Sequence, residues 1–187
     1  SLFQSADVTF GNFEGTIHTS SAGAKACGNP SLCYTFRSPP WHAAYLKSAG
    51  FTLVSNANNH ARDFGEGGRA ETYRHLTAAG LAVSGGDSAA TRFGYQTLAD
   101  GTRVALVAFG HNPGLMQVTD LTRMVRDAEA DVIVCDIDDP GRDALESMRA
   151  LHRDEPRPVV VFAARGEPDQ IEAALALQAY NARQART

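Results

Sequence analysis

The stretch SNANNHARDFG, residues 55–65, sets the amides of Asn58 and Asn59, the imidazole of His60 and the carboxylate of Asp63 directly after the apolar run FTLV. GNFEGT places Asn12 and Glu14 after an earlier apolar run, and CDIDDP places Asp136, Asp138 and Asp139 after a later one. His111 follows VALVAF in the same manner. Amide, carboxylate and imidazole donors together suit a divalent metal of intermediate hardness, with zinc and manganese ahead of iron. Such an ion activates water, while a histidine beside it donates a proton to a leaving oxygen. The same residues have a purely structural reading, in which Asn58 and Asn59 satisfy turn backbone and His60 closes a strand end. In that reading Asp138 and Asp139 are a solvated loop and a helix N-cap.

For these groups to meet, their strands must end on one edge of a sheet, since open α/β sheets gather ligands at the carboxyl ends of strands. The patterning supplies such strands. DVTF begins one, FTLVS is a second, LAVSGG a third, and RFGYQTLADGTRVALVAFG reads as a hairpin turning at Asp100-Gly101. Ser38-Pro39-Pro40 opens a helix that Gly50 stops, and a second helix runs over roughly 68–79 to Gly80. Between 17 and 37 the Gly, Ser, Asn and Pro content predicts an irregular loop. Beyond Pro113, helices near 117–129, 141–152 and 167–180 alternate with the strands DVIVCD and PVVVFAA, the mark of βα units on a parallel sheet. The fold class expected is therefore α/β, a mostly parallel sheet with flanking helices and one β-hairpin.

A length of 187 residues predicts one domain, or a composite of two unequal pieces. A net charge of −4 carries no electrostatic footprint for nucleic acid, and no apolar run reaches membrane-spanning length. A start at Ser1 with no charged-then-apolar leader is expected of a processed product or a fragment. Cys27 and Cys33 share a polar loop that suits a small disulfide, with two free thiols as the alternative; Cys135 sits in an apolar strand as a small buried hydrophobe. Among the remaining histidines, His42 and His75 fall on helices, His152 at a helix end and His18 in the irregular loop. Arg37 and Arg62 are candidates to neutralise a phosphate.

GNFEGT, CGNPSLCYTFRSPP, LKSAGFTLVSNANNHARDFGEGG and ETYRHLTAAGLAVSGG, in that order, resemble the poly-γ-glutamate capsule-biosynthesis (CapA-type) family over roughly residues 6–117. That family is related to the calcineurin-like metallophosphatases. The resemblance implies that Asn12 and Glu14 stand for its N-x-E element. It also implies that Asn59 and His60 stand for its metal ligand and its acid or phosphate-binding histidine. The cysteine pair ahead of FRSPP is similar to that of secreted members. Two family motifs have no counterpart: the glycine–aspartate strand that would precede Leu2, and a histidine motif expected after an apolar strand near 131–135.

Residues 125–176 resemble a response-regulator receiver of the kind that precedes an ANTAR module, with Asp136 at the phosphoacceptor position and Pro140 after it. The receiver's acidic pair, its later lysine and the ANTAR module have no counterpart, so phosphorelay is not expected. The expectation is then a composite, with 1–117 a metallophosphatase-type fragment and 118–187 a receiver-like βαβα segment completing the same domain. Glu14, Asn59 and His60, with Asn12 and His111, would form one half of a zinc or manganese site, and Asp136 or Asp138 the other. His60 and Asp136 would be catalytic, on a small-molecule phosphodiester or activated phosphotriester attacked by metal-activated water. The rivals are a non-catalytic capsule-polymer or cell-surface binding fragment and a receiver-like interaction module. No nucleic-acid or membrane partner is expected, an open sheet edge would admit a homodimer, and the first part points to the cell exterior while the second points to the cytoplasm.

Overall fold

A computed structural model describes residues 2–21, 23–137, 147–148, 150–151 and 155–163. The expectations for Asp138, Asp139, Pro140, His152, the final helix and the tail lie outside them. In chain order the elements are α1 (Leu2–Ser5), β1 (Phe10–Asn12), β2 (Thr16–Ile17), a 3-10 turn (Pro30–Leu32), β3 (Arg37–Ser38), α2 (His42–Ala49) and β4 (Leu53–Ser55). There follow α3 (Gly65–Ala78), β5 (Ala82–Ser84), β6 (Phe93–Thr97), β7 (Arg103–Phe109), α4 (Leu121–Asp127), β8 (Val132–Ile137) and β9 (Val159–Ala163).

Every residue of β7 from Val104 onward is buried, so this strand needs cover on both faces. It receives that cover from layers. Apart from the short β2–β3 pair, the strands divide between two sheets where one was expected: a parallel one in the order β1-β4-β5, and another in the order β6-β7-β8-β9, antiparallel only at the β6–β7 hairpin. Leu53, Val104, Leu106 and Val134 form the core between the two sheets, with Phe10 and Ala82 packed against it. On the outer side of the first sheet Val54 and Val83 meet Ala43 of α2 and Leu76 of α3. On the outer side of the second, Ala105, Val107, Ile133 and Cys135 meet Leu121, Met124 and Val125 of α4. The result is helix, sheet, sheet, helix. Period-two alternation produces it, because successive strand residues point to opposite faces. Burying each large aliphatic side chain contributes about 1.5–3 kcal/mol.

Local chemistry fixes the element ends. Gly50 ends α2 at φ 109°, its N–H and that of Phe51 turned back to Lys47 and Leu46 carbonyls. A Cβ there would stand 2.7 Å from the Phe3 backbone, so glycine serves both the turn and the packing of α1. At the hairpin, Asp100 Oδ1 accepts from the Thr102 amide at 2.9 Å and Gly101 takes φ 90°. The irregular loop holds more order than expected: β2 and β3 form a two-stranded parallel ladder across it. β8 and β9 extend the hairpin's own sheet, not the β1-β4-β5 sheet.

The end of α4 depends on Arg157, whose guanidinium donates to the carbonyls of Val125 (2.8 Å), Ala128 and Ala130 (3.2 Å). Glu155 aims it, receiving Nε at 2.7 Å and Nη2 at 2.8 Å. The Arg157 hydrogen bond holds the Glu155 carboxyl below its ordinary value of 4.5, so this pair contributes stability above that value and loses it as pH falls through the lower, folded one. Arg157→Met is expected to cost about 2–4 kcal/mol in urea unfolding at pH 7, because it strips the Val125 and Ala130 carbonyls of their donor and a largely buried carboxylate of its guanidinium. The variant should also lose the steepening of the wild-type acid limb. Burial pushes the Cys135 thiol up to about 12, so a maleimide should leave it unlabelled at pH 8 until denaturant opens the fold.

Candidate functional site

The loops after β1, β4 and β7 leave from one edge of the molecule and are tied together there. Asn58, 1 % exposed, does most of the tying. Its Nδ2 donates to Asn12 Oδ1 and to the Phe13 carbonyl, each at 2.9 Å, and its Oδ1 accepts the His60 amide at 3.0 Å. Asn56 Nδ2 adds bonds to the carbonyls of Phe13 (3.0 Å) and Gly15 (3.3 Å). The β7 loop closes on the same turn: Asn112 Nδ2 donates to the Asn58 carbonyl at 3.5 Å, and Arg62 Nη1 to that of Pro113. A Cβ on Gly110 would meet the Ala57 carbonyl at 2.8 Å, and one on Gly85 would meet Asn56 at 2.7 Å, so glycine at both positions permits the approach. Asp136 pairs in register with Ala108, two residues before Gly110, which puts the end of β8 on this edge too. The 58–60 turn and the end of β8 therefore share one pole of the molecule.

His60 is organised by a carboxylate. Its Nδ1 lies 2.9 Å from Oδ2 of Asp63, a residue with no exposure at all. The other neighbours of Asp63, the Phe36 amide and the Lys25 ammonium, are donors, so the carboxylate accepts here, Nδ1 carries the proton and Nε2 is the nitrogen left for chemistry. The same Oδ2 accepts the Phe36 amide at 2.7 Å, and Lys25 Nζ stands 2.6 Å from Oδ1. The Phe36 ring tilts over the imidazole at 4.4 Å, leaving the histidine side chain 13 % exposed. Lys25 and Phe36 flank a loop that the Cys27–Cys33 disulfide closes.

The sequence-derived candidates separate on these coordinates. Asn12, Glu14, Asn59 and His111 are exposed along the edge, and Asp136 is buried at 6 %. Asn58 takes the structural role that turn chemistry allowed for both asparagines, whereas Asn59 makes no hydrogen bond among the described residues. Arg37 stacks 5.9 Å over Phe64, and Arg62 also pairs with Glu66 at 3.6 Å, so neither guanidinium is uncommitted. His18 is buried against Phe64 at 4.5 Å, with Nδ1 3.0 Å from Ser20. Lys25, Phe36 and the orienting role of Asp63 were not anticipated. The His-x-x-Asp spacing of 60 and 63 was the available signal, since residues three apart in a turn face each other.

Metal ligation was expected, and one of its proposed donors, Asp138, lies outside the described residues. Among the described residues no group of three or more His, Cys, Asp and Glu could hold an ion. The buried polar side chains of Asn58 and Asp63 are already engaged in binding loops and His60.

The model of a family described as bacterial capsule synthesis protein PGA_cap matches residues 1–175. The match runs through the boundary expected at 117 and through nearly all of the receiver-like stretch. Two curated relatives from Sinorhizobium fredii, both printed as uncharacterized proteins (y4sH and y4uA), are 30 % identical over 184 residues, covering 91 % of this chain. The alignment covers 32 % of each relative, so this chain spans about a third of their length.

The contrast between neighbouring amides is testable. Asn58→Ala should cost about 1–3 kcal/mol in urea unfolding, since it leaves the His60 amide unpaired and removes the bonds to Asn12 and Phe13. Asn59→Ala should stay within about 0.5 kcal/mol of the parent.

Proposed function

Because this chain belongs to the bacterial capsule synthesis protein family, PGA_cap, we propose that its strand-end edge hydrolyses a phosphoester, with His60 carrying the proton. The family's relation to the calcineurin-like metallophosphatases supports the reaction class. The observation that carries the reading is the His60–Asp63 pair, 2.9 Å apart, on the edge where four strand ends converge. Asp63 fixes the tautomer and the ring plane. Nε2 can then protonate a leaving oxygen, or take a proton from attacking water, without reorienting. No step is routed through a metal, because the described donors do not assemble one.

Charge narrows the substrate. Lys25 is committed to Asp63, Arg62 to Pro113 and Glu66, and Arg37 to the Phe64 ring. An edge with its cations engaged favours the single charge of a phosphodiester over the dianion of a monoester. The reading treats the chain as one family member throughout, since the family match runs across the receiver-like stretch. The rival, a non-catalytic binding piece of a capsule-polymer or cell-surface protein, draws support from one feature: Asn58 and Asp63 serve the loops themselves.

The test is hydrolysis of a chromogenic phosphodiester, bis(p-nitrophenyl) phosphate, in chelator and again with added zinc or manganese. Turnover is expected to fall at least about 100-fold in His60→Ala, the lower end for losing a general acid or base. Turnover untouched by that substitution overturns His60 as the proton carrier, and none under either condition favours the binding reading.

A further inference from the structure

The loop closed by Cys27–Cys33 is joined to the His60 pair by both of its ends. On the entering side, two residues before Cys27, the Lys25 amide donates to the Asp63 carbonyl at 2.7 Å and its Nζ approaches Oδ1 at 2.6 Å. On the leaving side, three residues after Cys33, the Phe36 amide donates to Oδ2 at 2.7 Å while the ring covers His60 at 4.4 Å. Phe36 is itself pinned to β2, its carbonyl accepting both the amide (3.1 Å) and the hydroxyl (2.9 Å) of Thr16. Besides His60, these two loop residues are the partners of the Asp63 carboxylate among the described residues. A carboxylate with no exposure stays charged and buried only while it is paired.

We propose that the Cys27–Cys33 loop is a redox-operated strap: oxidised, it holds Asp63 in line for His60; reduced, it releases the carboxylate to water and leaves the imidazole unoriented. Reduction by a dithiol breaks the Sγ–Sγ bond, delivers two electrons and two protons to the cysteines, and leaves the dithiol as its own disulfide. Opening the covalent ring restores freedom to a Gly-Asn-Pro-Ser segment between the two anchors. Lys25 and Phe36 are thus positioning residues, acting through Asp63. The proposal rests on the reading of His60 as the proton carrier, and its test separates the two.

Amide exchange is followed residue by residue by NMR in the oxidised 187-residue chain and after dithiothreitol. The Lys25 and Phe36 amides should exchange at least about tenfold faster on reduction, with Leu76 in α3 and Val107 in β7 unchanged as a check on the fold. The Cys27→Ser/Cys33→Ser pair should reproduce the faster exchange. It should also lower phosphodiester turnover about tenfold or more through kcat rather than KM, with no reductant present to bind added metal. Unchanged protection at Lys25 and Phe36 overturns the strap. Faster exchange with undiminished turnover overturns its link to the pair. Faster exchange in a chain that hydrolyses nothing in either state supports the strap and rejects the proton-carrier reading. Where the serine pair fails to fold, wild-type protein reduced and then alkylated carries the same comparison.

Discussion

A carboxylate buried without exposure constrains everything placed around it. Asp63 cannot be left with unpaired oxygens in a dry interior, where an isolated ion would cost several kcal/mol. Its partners come from three places in the chain: His60 in its own turn, Lys25 before the disulfide and Phe36 after it. Satisfying that one group therefore fixes the course of the irregular loop, brings β3 alongside β2, and lays an aromatic ring over the histidine. Loop and site are set by a single electrostatic requirement.

The scaffold makes the requirement affordable by ending its strands together. Two sheets packed face to face, each with a helical cover, leave the carboxyl ends of β1, β4, β7 and β8 on one edge. The loops that leave this edge would carry many unmatched backbone groups. Asn56 and Asn58 answer them with side-chain amides, which offer donor and acceptor at once and suit a crowded turn better than a carboxylate would. That choice also gives one member of the conspicuous asparagine run a structural role. Asn58 faces inward as mortar, and Asn59, the next residue, faces solvent.

Much of the architecture was legible in the chain. The hairpin at Asp100-Gly101, the buried strand VALVAF and the helix closed at Gly50 all appear as local patterning predicts. Other elements shifted for physical reasons. The first strand, expected to begin at Asp7 and run into GNFEGT, pairs only over Phe10–Asn12, because ladder partners in β4 decide where it starts. The helix expected from 68 starts at Gly65 despite poor helix formers. A side chain at Gly68 would stand 2.9 Å from the Phe64 side chain, so tertiary packing prefers glycine where propensity does not. β2 and β3 escaped notice since two residues are too few to show a period.

For the site, residue types and strand-end positions were enough to single out His60, Asn12, Asn59 and Asp136 as one neighbourhood. Alternating apolar runs determine which loops share an edge, and that information is local and periodic. The sequence by itself thus determined an α/β fold and which strand-end loops share one pole. Which groups are engaged there was decided only by tertiary structure. Phe36 meets Asp63 across 27 residues of irregular chain, and no periodicity encodes such a contact. Asn58 and Asn59 are chemically identical, so only the direction each takes from the turn separates a structural amide from an exposed one.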